Sequence, residues 1–124
     1  MTDRTRWLPR AACLGSDPGD FDIITNVTAT VPTPTRMDRM WDQGTICESC
    51  PVVRECAADA LDQRDIGIVR GGVPVVANGS MAWRQMERAA LTAMSVTDSP
   101  AETRRVWRAA AQRAAAKIRA ERAA

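Results

Sequence analysis

The sequence contains no histidine and no tyrosine, and it has one phenylalanine and one lysine among its 124 residues. Without histidine, a metal site built from nitrogen and sulfur ligands must rely on thiols. The aromatic side chains are four tryptophans and that phenylalanine, so a chain of this length has a modest core. In the first half the large apolar residues are scattered among Thr, Pro, Asp and Gly, which predicts that a covalent or metal link stabilises that half.

Long hydrophobic segments are also missing. No run approaches the roughly 18 apolar residues that a membrane span needs, and the first residues, MTDRTRWLPRAAC, lack the apolar centre of a secretory signal. We therefore expect a cytoplasmic protein with no membrane contact. In a reducing compartment its four cysteines are more often metal ligands or redox groups than structural disulfides.

Charge is distributed unevenly along the chain. Residues 1–78 carry eight arginines against eleven Asp and Glu, a net charge of −3, whereas residues 79–124 carry nine Lys and Arg against four Asp and Glu, a net charge of +5. The division predicts two regions, a thiol-containing domain over residues 1–78 and a basic helical extension over residues 79–124. The extension is the part that suits an anionic partner such as DNA.

Helix signals recur along the chain, and we predict an all-α fold. The predicted helices cover about residues 5–15, 37–43, 51–64, 80–94 and 100 to near the end. Turns or loops are predicted over residues 15–21, 24–36 and 67–74. Ser80 is the expected N-cap of the fourth helix, and Ser99, Pro100 and Glu102 form the start signal of the fifth.

The four cysteines are spaced so that their thiols could meet at one centre. Cys13 stands far upstream of Cys47, Cys50 and Cys56. Two residues between Cys47 and Cys50 let both thiols reach one centre without straining the backbone, and Cys56 lies on the apolar face of the predicted third helix. Four thiols without histidine narrow a metal centre to zinc or an iron–sulfur cluster. One close pair with two single thiols suits a four-iron cubane better than two zinc knuckles.

Three other interpretations of the thiols stay open at this point. They could be ordinary buried thiols or two disulfides, they could hold a single zinc ion, or Cys47 and Cys50 could serve a thiol–disulfide reductase. A reductase motif should follow a strand in a βαβ unit, and no such pattern is visible in the sequence. We therefore expect a binding protein rather than an enzyme.

A longer motif connects the cysteines with other residues. In chain order it comprises Trp7, Cys13, the turn Asp17-Pro18-x-x-Phe21, the run Cys47-x-x-Cys50-Pro51-Val52, Cys56, the pair Ala60-Leu61 and a Gly-Gly turn. Over about residues 6–74 the chain resembles the WhiB-like proteins of actinobacteria and their phages. Each part of the motif is a weak signal alone, and together the parts are specific.

The resemblance implies a small helical domain organised around a [4Fe–4S] cluster, with Cys13, Cys47, Cys50 and Cys56 as the ligands. It implies a transcriptional regulator whose cluster responds to dioxygen, nitric oxide or redox state. It also implies that the protein docks on the C-terminal domain of the RNA polymerase sigma factor and that a basic C-terminal region contacts DNA.

One part of the motif departs from the family pattern. The family turn usually reads Gly-Val-Trp-Gly-Gly, whereas this chain has Arg70 before Gly71 and Gly72. We predict that Arg70, Gly71 and Gly72 contact the protein partner, with a cation in place of an aromatic that could pack against the sigma factor. The two glycines keep the backbone freedom of the turn, so the change is expected to affect sigma binding more than the fold.

The C-terminal helix carries a predicted cationic row. At about 100° per residue, five arginines fall within an arc of about 100°, beside a narrow apolar strip. They are Arg104, Arg105, Arg108, Arg119 and Arg122. The planar guanidinium donates two hydrogen bonds to one phosphate, so we predict that these residues contact nucleic acid. The alternative is a solvated helix whose charges only keep the protein soluble.

Overall fold

The structure is a computed structural model that describes residues 4–14, 32–63, 66–76 and 79–123. The predicted turn at 15–21 and most of the predicted loop at 24–36 lie outside these ranges, as do Asp17, Pro18 and Phe21 of the sequence motif. The predicted boundary between two regions after residue 78 also falls outside them and stays a prediction.

The N-terminal segment forms two short helical pieces in place of the single helix predicted over about residues 5–15. Helix α1 spans Arg4–Trp7, and a 3₁₀ helix spans Leu8–Arg10. Pro9 has no N–H to donate to a preceding carbonyl, which favours a change of helix type at this point. Trp7 is buried, so one indole anchors the segment to the rest of the protein.

Helix α2 spans Pro34–Gln43 and begins earlier than the predicted start at Met37. Thr33 is its N-cap, and the Oγ1 atom of Thr33 accepts the N–H of Arg36 at 3.3 Å. The prediction of an extended loop is therefore wrong for residues 34–36. The apolar side chains that α2 buries are Met37, Met40 and Trp41.

A two-stranded antiparallel hairpin follows helix α3, which spans Val53–Gln63. Strand β1 covers Ile68–Arg70 and strand β2 covers Val73–Val75, with the last residue of β1 paired to the first residue of β2. Gly71 and Gly72 form the connecting turn with φ angles of 56° and 80°. Positive φ at both central residues is what a two-residue type I′ turn requires.

The hairpin corrects part of the predicted fold class. The described residues are mostly helical, as predicted, but they are not all-α. The Gly-rich turn predicted over residues 67–74 is present. Its strands were missed because three residues each are too few to show the alternation of apolar and polar side chains that identifies a strand.

Two long helices follow the hairpin. Helix α4 spans Met81–Val96 and helix α5 spans Pro100–Ala123. The Oγ atom of Ser80 accepts the N–H of Trp83 at 3.2 Å, which confirms the predicted cap. The start of α5 at Pro100 is also confirmed. Neither helix, nor any other helix in the described ranges, combines the length and the hydropathy that crossing a membrane would require.

The core lies between the hairpin and helices α2 to α5. Helix α4 packs against both α3 and α5, and one apolar face of α4 turns inward. On that face Trp83, Ala90 and Met94 are buried and Met86 is partly buried. Helix α5 adds three further residues to the same core: Ala111, Ala115 and Ile118. The small alanines let α5 approach closely, so the basic helix shares one apolar core with the thiol-containing segments.

Candidate metal centre and cationic surface

Cys47 and Cys50 lie between α2 and α3. Cys47 belongs to a 3₁₀ helix, Thr45–Ser49, and Cys50 caps its end. The N–H of Cys50 donates to the carbonyl of Cys47 at 3.2 Å, so one tight turn keeps the two residues close together. Both are partly buried against the apolar core. Helix α3 begins soon after this pair, as the sequence predicts.

Cys56 lies in the first turn of α3, and the hairpin turn donates two hydrogen bonds to its sulfur. The N–H of Gly71 lies 3.2 Å from Sγ, and the Nε of Arg70 lies 3.3 Å from it. The turn can come this close because Gly71 has no side chain: a Cβ atom there would lie 2.6 Å from the Cα of Ala57. Donors of this kind stabilise a thiolate and orient a metal ligand.

Cys47 accepts a hydrogen bond from the same turn. Its donor is the backbone N–H of Gly72. Burial raises the pKa of the Cys47 thiol to about 12, the charge of Cys56 adds to the rise, and the Gly72 hydrogen bond and Arg104 oppose it. The free thiol therefore keeps its proton at neutral pH, whereas the metal ligand is the thiolate. Binding of a cationic centre at Cys47 would thus release a proton.

Cys13 comes near the other thiols through the N-terminal segment. The N–H of its neighbour, Ala12, donates to the sulfur of Cys50 at 3.3 Å. The pKa of the Cys13 thiol is raised, first by burial and then by the charges of Cys56 and Cys50, although the residue as a whole is exposed. The contact between Ala12 and Cys50 brings the segment that carries Cys13 beside the other thiols.

All four cysteines are free thiols; they come from three segments of the chain, and the charges of Cys50 and Cys56 act on the thiols of Cys13 and Cys47. Within the described ranges, no group of three or more Cys, His, Asp or Glu side chains is arranged so that it could hold one metal ion. The donor set nevertheless fits a [4Fe–4S] cluster, because four thiolates are its usual ligands and hydrogen bonds to sulfur stabilise it. Three of the four sulfurs accept a backbone N–H.

The structure places Arg70, Gly71 and Gly72 against the thiols. Gly71 and Gly72 are buried, and the side chain of Arg70 is only 13% exposed. Besides its bond to Cys56, Arg70 pairs through Nη2 with Asp59 at 2.6 Å. The turn faces the thiols and presents little side-chain surface to another protein, and the predicted partner-binding role of the three residues stays a prediction.

Arg104, the first member of the predicted cationic row, points into the protein. Its Nε donates to the carbonyl of Gly72 at 2.8 Å, and its terminal nitrogens donate to Glu48 and to the carbonyl of Trp41. The guanidinium carbon lies 5.3 Å from the centre of the Trp41 ring. With 4% of its side chain exposed, Arg104 presents little of its guanidinium to another molecule, and its predicted nucleic-acid contact stays a prediction.

Two other arginines of the predicted row, Arg108 and Arg119, form contacts within the protein. Arg108 pairs with Asp42 at 2.9 Å and with Asp38 at 3.3 Å, and one third of its side chain is exposed. These carboxylates raise the pKa of Arg108, although partial burial acts in the opposite direction. Arg119 donates to the carbonyl of Pro32 at 3.2 Å. Both arginines therefore tie α5 to the segment around α2.

The solvent side of α5 carries cations that the sequence prediction missed. Arg113 and Lys117 are exposed, like Arg105, and at about 100° per residue the three lie within an arc of about 120°. We call Arg105, Arg113 and Lys117 the outer cationic face. Arg122 is exposed near the end of the helix. The apolar residues of α5 indicate which side of the helix faces the core. The opposite side would have been identified as the exposed cationic face, whereas the densest group of arginines was used instead.

Comparison with known proteins gives a family match. A family model described as transcription factor WhiB matches residues 7–91. Over 71 residues, the chain is 32% identical to the transcriptional regulator WhiB4 of Mycobacterium tuberculosis, which covers 57% of this chain and 50% of that protein. WhiB4 of Mycobacterium marinum is 31% identical over 71 residues, covering 57% and 51% of the two chains. The match thus spans about half the length of these curated relatives, and no solved structure matches the chain.

Proposed function

The chain belongs to the WhiB family of transcription factors, and we propose that it is a redox- or gas-responsive regulator of transcription that holds a [4Fe–4S] cluster. Cys13, Cys47, Cys50 and Cys56 are the proposed ligands. The observation that supports the proposal is that backbone N–H groups from two neighbouring segments donate to the sulfurs of three of these cysteines. When bound, such a cluster supplies a one-electron centre that reacts with dioxygen or nitric oxide.

The four thiols have unequal access to solvent. Cys13 is exposed, whereas the other three cysteines are partly buried. Small oxidants therefore reach the site from the side of Cys13. The hairpin turn lies against Cys47 and Cys56 and donates hydrogen bonds to their sulfurs.

Gly72 connects the thiols with the basic helix α5. Its N–H donates to Cys47, while its carbonyl accepts from Arg104 of α5. Glu48, the residue after Cys47, pairs with the same guanidinium. A displacement of Cys47 therefore moves two acceptors that hold α5, which gives the thiol site a physical route to a DNA-binding surface.

The outer cationic face of α5 is the proposed DNA contact. Its three cations point to solvent, and residues 79–124 carry a net charge of +5, which favours an anionic partner. The resemblance to WhiB-like proteins adds the C-terminal domain of the sigma factor as the proposed protein partner. Calorimetric titration of that domain with the anaerobically purified protein tests this partner, and an absence of binding would limit the role to DNA contact.

The cluster is tested by purifying the full chain without air, recording its visible spectrum and measuring iron, sulfide and zinc. We expect about four iron and four sulfide per chain and a brown colour. Cys50→Ala should lose the iron and much of the helix content. The matched control is Ser49→Ala. Ser49 is the neighbour of Cys50, it is exposed, and its hydroxyl donates to the carbonyl of Ile46 rather than to a thiol.

Two outcomes would contradict this assignment. Zinc without iron would replace the cluster with a structural zinc ion on the same four cysteines. A Cys50→Ala protein that stays coloured and folded would remove Cys50 from the ligand set. Loss of iron in Ser49→Ala as well would show that the colour reports damage to this turn rather than loss of a ligand.

A thiol–disulfide reductase is the less favourable use of Cys47 and Cys50. Burial raises the pKa of Cys47 to about 12, which is the opposite of what an attacking thiol requires. The pair also lies in and after a 3₁₀ helix that follows α2 rather than a strand. We expect the metal-free protein to show no turnover of an insulin disulfide, and turnover that Cys47→Ser abolishes would reverse this conclusion.

A further inference from the structure

Arg70 occupies a position between a thiol and a buried carboxylate. Cys56 and Asp59 are three residues apart on α3 and therefore lie on one side of the helix. The guanidinium reaches both, with Nε at 3.3 Å from the Cys56 sulfur and Nη2 at 2.6 Å from the Asp59 carboxylate. The Asp59 side chain is fully buried. The buried Asp59 carboxylate thus holds one end of the Arg70 guanidinium, and the Nε of Arg70 points at the Cys56 sulfur.

The charges around Arg70 keep it a cation in this position. Burial alone would lower the pKa of the guanidinium, but the charge of Cys56 and the hydrogen bonds to Cys56 and Asp59 raise it. A fixed cation beside a sulfur atom favours electron density on that sulfur. Asp59 holds the cation in place and also opposes its field with a negative charge of its own.

We propose that Arg70 is a positioning residue of the thiol site, whose guanidinium orients the Cys56 sulfur and increases the electron affinity of the centre bound there. The inference rests on the proposed iron–sulfur function. Reduction of that centre adds one electron and one negative charge, and no bond to Arg70 forms or breaks. The cation stabilises the added charge, and Asp59 acts in the opposite direction.

Two substitutions that each remove one charge test the proposal through their opposite effects. Arg70→Gln removes the cation, and Asp59→Asn removes the anion while keeping an oxygen for Arg70. Dithionite reduces the anaerobically purified full chain by one electron in a potential-controlled titration. We expect Arg70→Gln to weaken the electron affinity about tenfold, which is about 59 mV for one electron. Asp59→Asn should shift the potential in the opposite direction.

The matched control is Arg54→Gln on the same helix. Arg54 lies two residues before Cys56, but its side chain is 53% exposed and pairs with the exposed Asp98 at 3.4 Å. This variant removes the same charge without removing a donor to the thiol. Its electron affinity should therefore stay within about twofold of the wild-type value. Arg70→Lys keeps the charge and should recover most of the shift that Arg70→Gln causes.

A merely structural role for Arg70 predicts a different pattern. Both Arg70→Gln and Asp59→Asn would then lower the unfolding temperature of the metal-free protein, and neither would shift the potential with a defined sign. If the Arg70→Gln and Asp59→Asn proteins contain iron but show unchanged potentials, or shifts of the same sign, the inference is overturned while the proposed function stands. If Arg70→Gln does not retain iron, the test uses the other two variants. The inference then requires that Asp59→Asn raises the electron affinity and that Arg70→Lys stays near the wild-type value. A wild-type protein without iron overturns the proposed function, and the inference falls with it.

Discussion

The interior around the hairpin and the outer cationic face of α5 use charge for different purposes. In the interior, each of the helices α3, α4 and α5 places one buried charged residue on the hairpin. Asp59 binds Arg70, Glu87 binds the N–H of Val76, and Arg104 binds the carbonyl of Gly72. The cations of the outer face point to solvent. The hairpin donors that hold two of the thiols are therefore themselves held by buried charges, whereas the outer face is available to a partner.

The energetic consequence differs between the two regions. A buried charge is tolerated only when it is paired and hydrogen-bonded, and removing one partner leaves the other uncompensated. Glu87 shows how completely such a group is satisfied: it accepts from Val76 N at 2.8 Å, from Trp83 Nε1 at 3.0 Å and from Arg84 at 2.9 Å. Charges at an exposed site contribute little to stability. Substitutions in the two regions should therefore differ in kind as well as in size.

The largest effect is expected at Arg104. Arg104→Met keeps an apolar stem over Trp41 but leaves Glu48 and two backbone carbonyls without their cation, so we expect a loss of about 3–5 kcal/mol in the free energy of unfolding. Urea unfolding of the anaerobically purified protein, followed by circular dichroism, measures the loss. Because Gly72 also donates to Cys47, the variant should retain less iron than the wild type.

The neighbouring residue provides the control for this experiment. Arg105 is exposed, and Arg105→Met should change the free energy of unfolding by no more than about 0.5 kcal/mol. Equal losses in the two variants would show that α5 does not distinguish an inner from an outer face. A stable Arg104→Met protein would mean that its buried contacts with the hairpin do not hold α5.

A smaller effect with a defined pH dependence is expected at Glu87. Burial raises the pKa of Glu87 to about 7 from its ordinary value of 4.5, against the opposing hydrogen bond from Val76 and the charge of Arg84. Between these two pH values the folded protein holds a proton that the unfolded chain has released, so stability falls as the pH rises. Relative to Glu87→Gln, which does not titrate, the wild type should lose about 1–2 kcal/mol from pH 5 to pH 7.

The comparison uses urea midpoints of both proteins at the two pH values, so the titration of all other groups cancels. Glu102→Gln is the surface control, because Glu102 is exposed in the first turn of α5, and it should show the wild-type pH dependence. A wild-type protein that gains stability relative to Glu87→Gln between pH 5 and pH 7 would show that its hydrogen bonds outweigh burial.

Local signals predicted the helices well and the direction of α5 poorly. Ser80 and Pro100 mark helix starts through contacts within a few residues, so the sequence contains the whole signal. The acceptors of Arg104 lie 32, 56 and 63 residues away along the chain. A helical wheel gives the angles between side chains but not which side faces the core, and a long arginine stem can be buried where a short charged side chain cannot.

The sequence names the candidate thiols but does not indicate what surrounds them. Cysteine spacing and the family motif predict which thiols form a group, a prediction that metal analysis has still to test. The donors to those sulfurs come from a turn whose position depends on packing against Ala57, and that contact has no local signature. Arg70 was therefore predicted to face a partner, whereas it faces Cys56 and Asp59.

The smallest effect on stability and the clearest effect on binding are expected on the outer cationic face. Replacing its three cations with alanine should leave the free energy of unfolding within about 0.5 kcal/mol per site. Affinity for duplex DNA is measured by fluorescence anisotropy over a range of salt concentrations. The slope of log affinity against log salt concentration should become shallower by about 0.9 for each phosphate contact removed. Shortening the chain at residue 100 would be a poorer test, because it also removes α5 from the core.

A second triple variant separates a defined DNA surface from a general effect of charge. Arg39, Arg54 and Arg88 are exposed on α2, α3 and α4, and replacing them with alanine removes the same net charge away from α5. If the outer cationic face is the contact, only the α5 variant flattens the slope, since counterions are released only where phosphates are neutralised. Equal flattening in both variants would assign binding to overall charge and leave the outer face of α5 merely solvated.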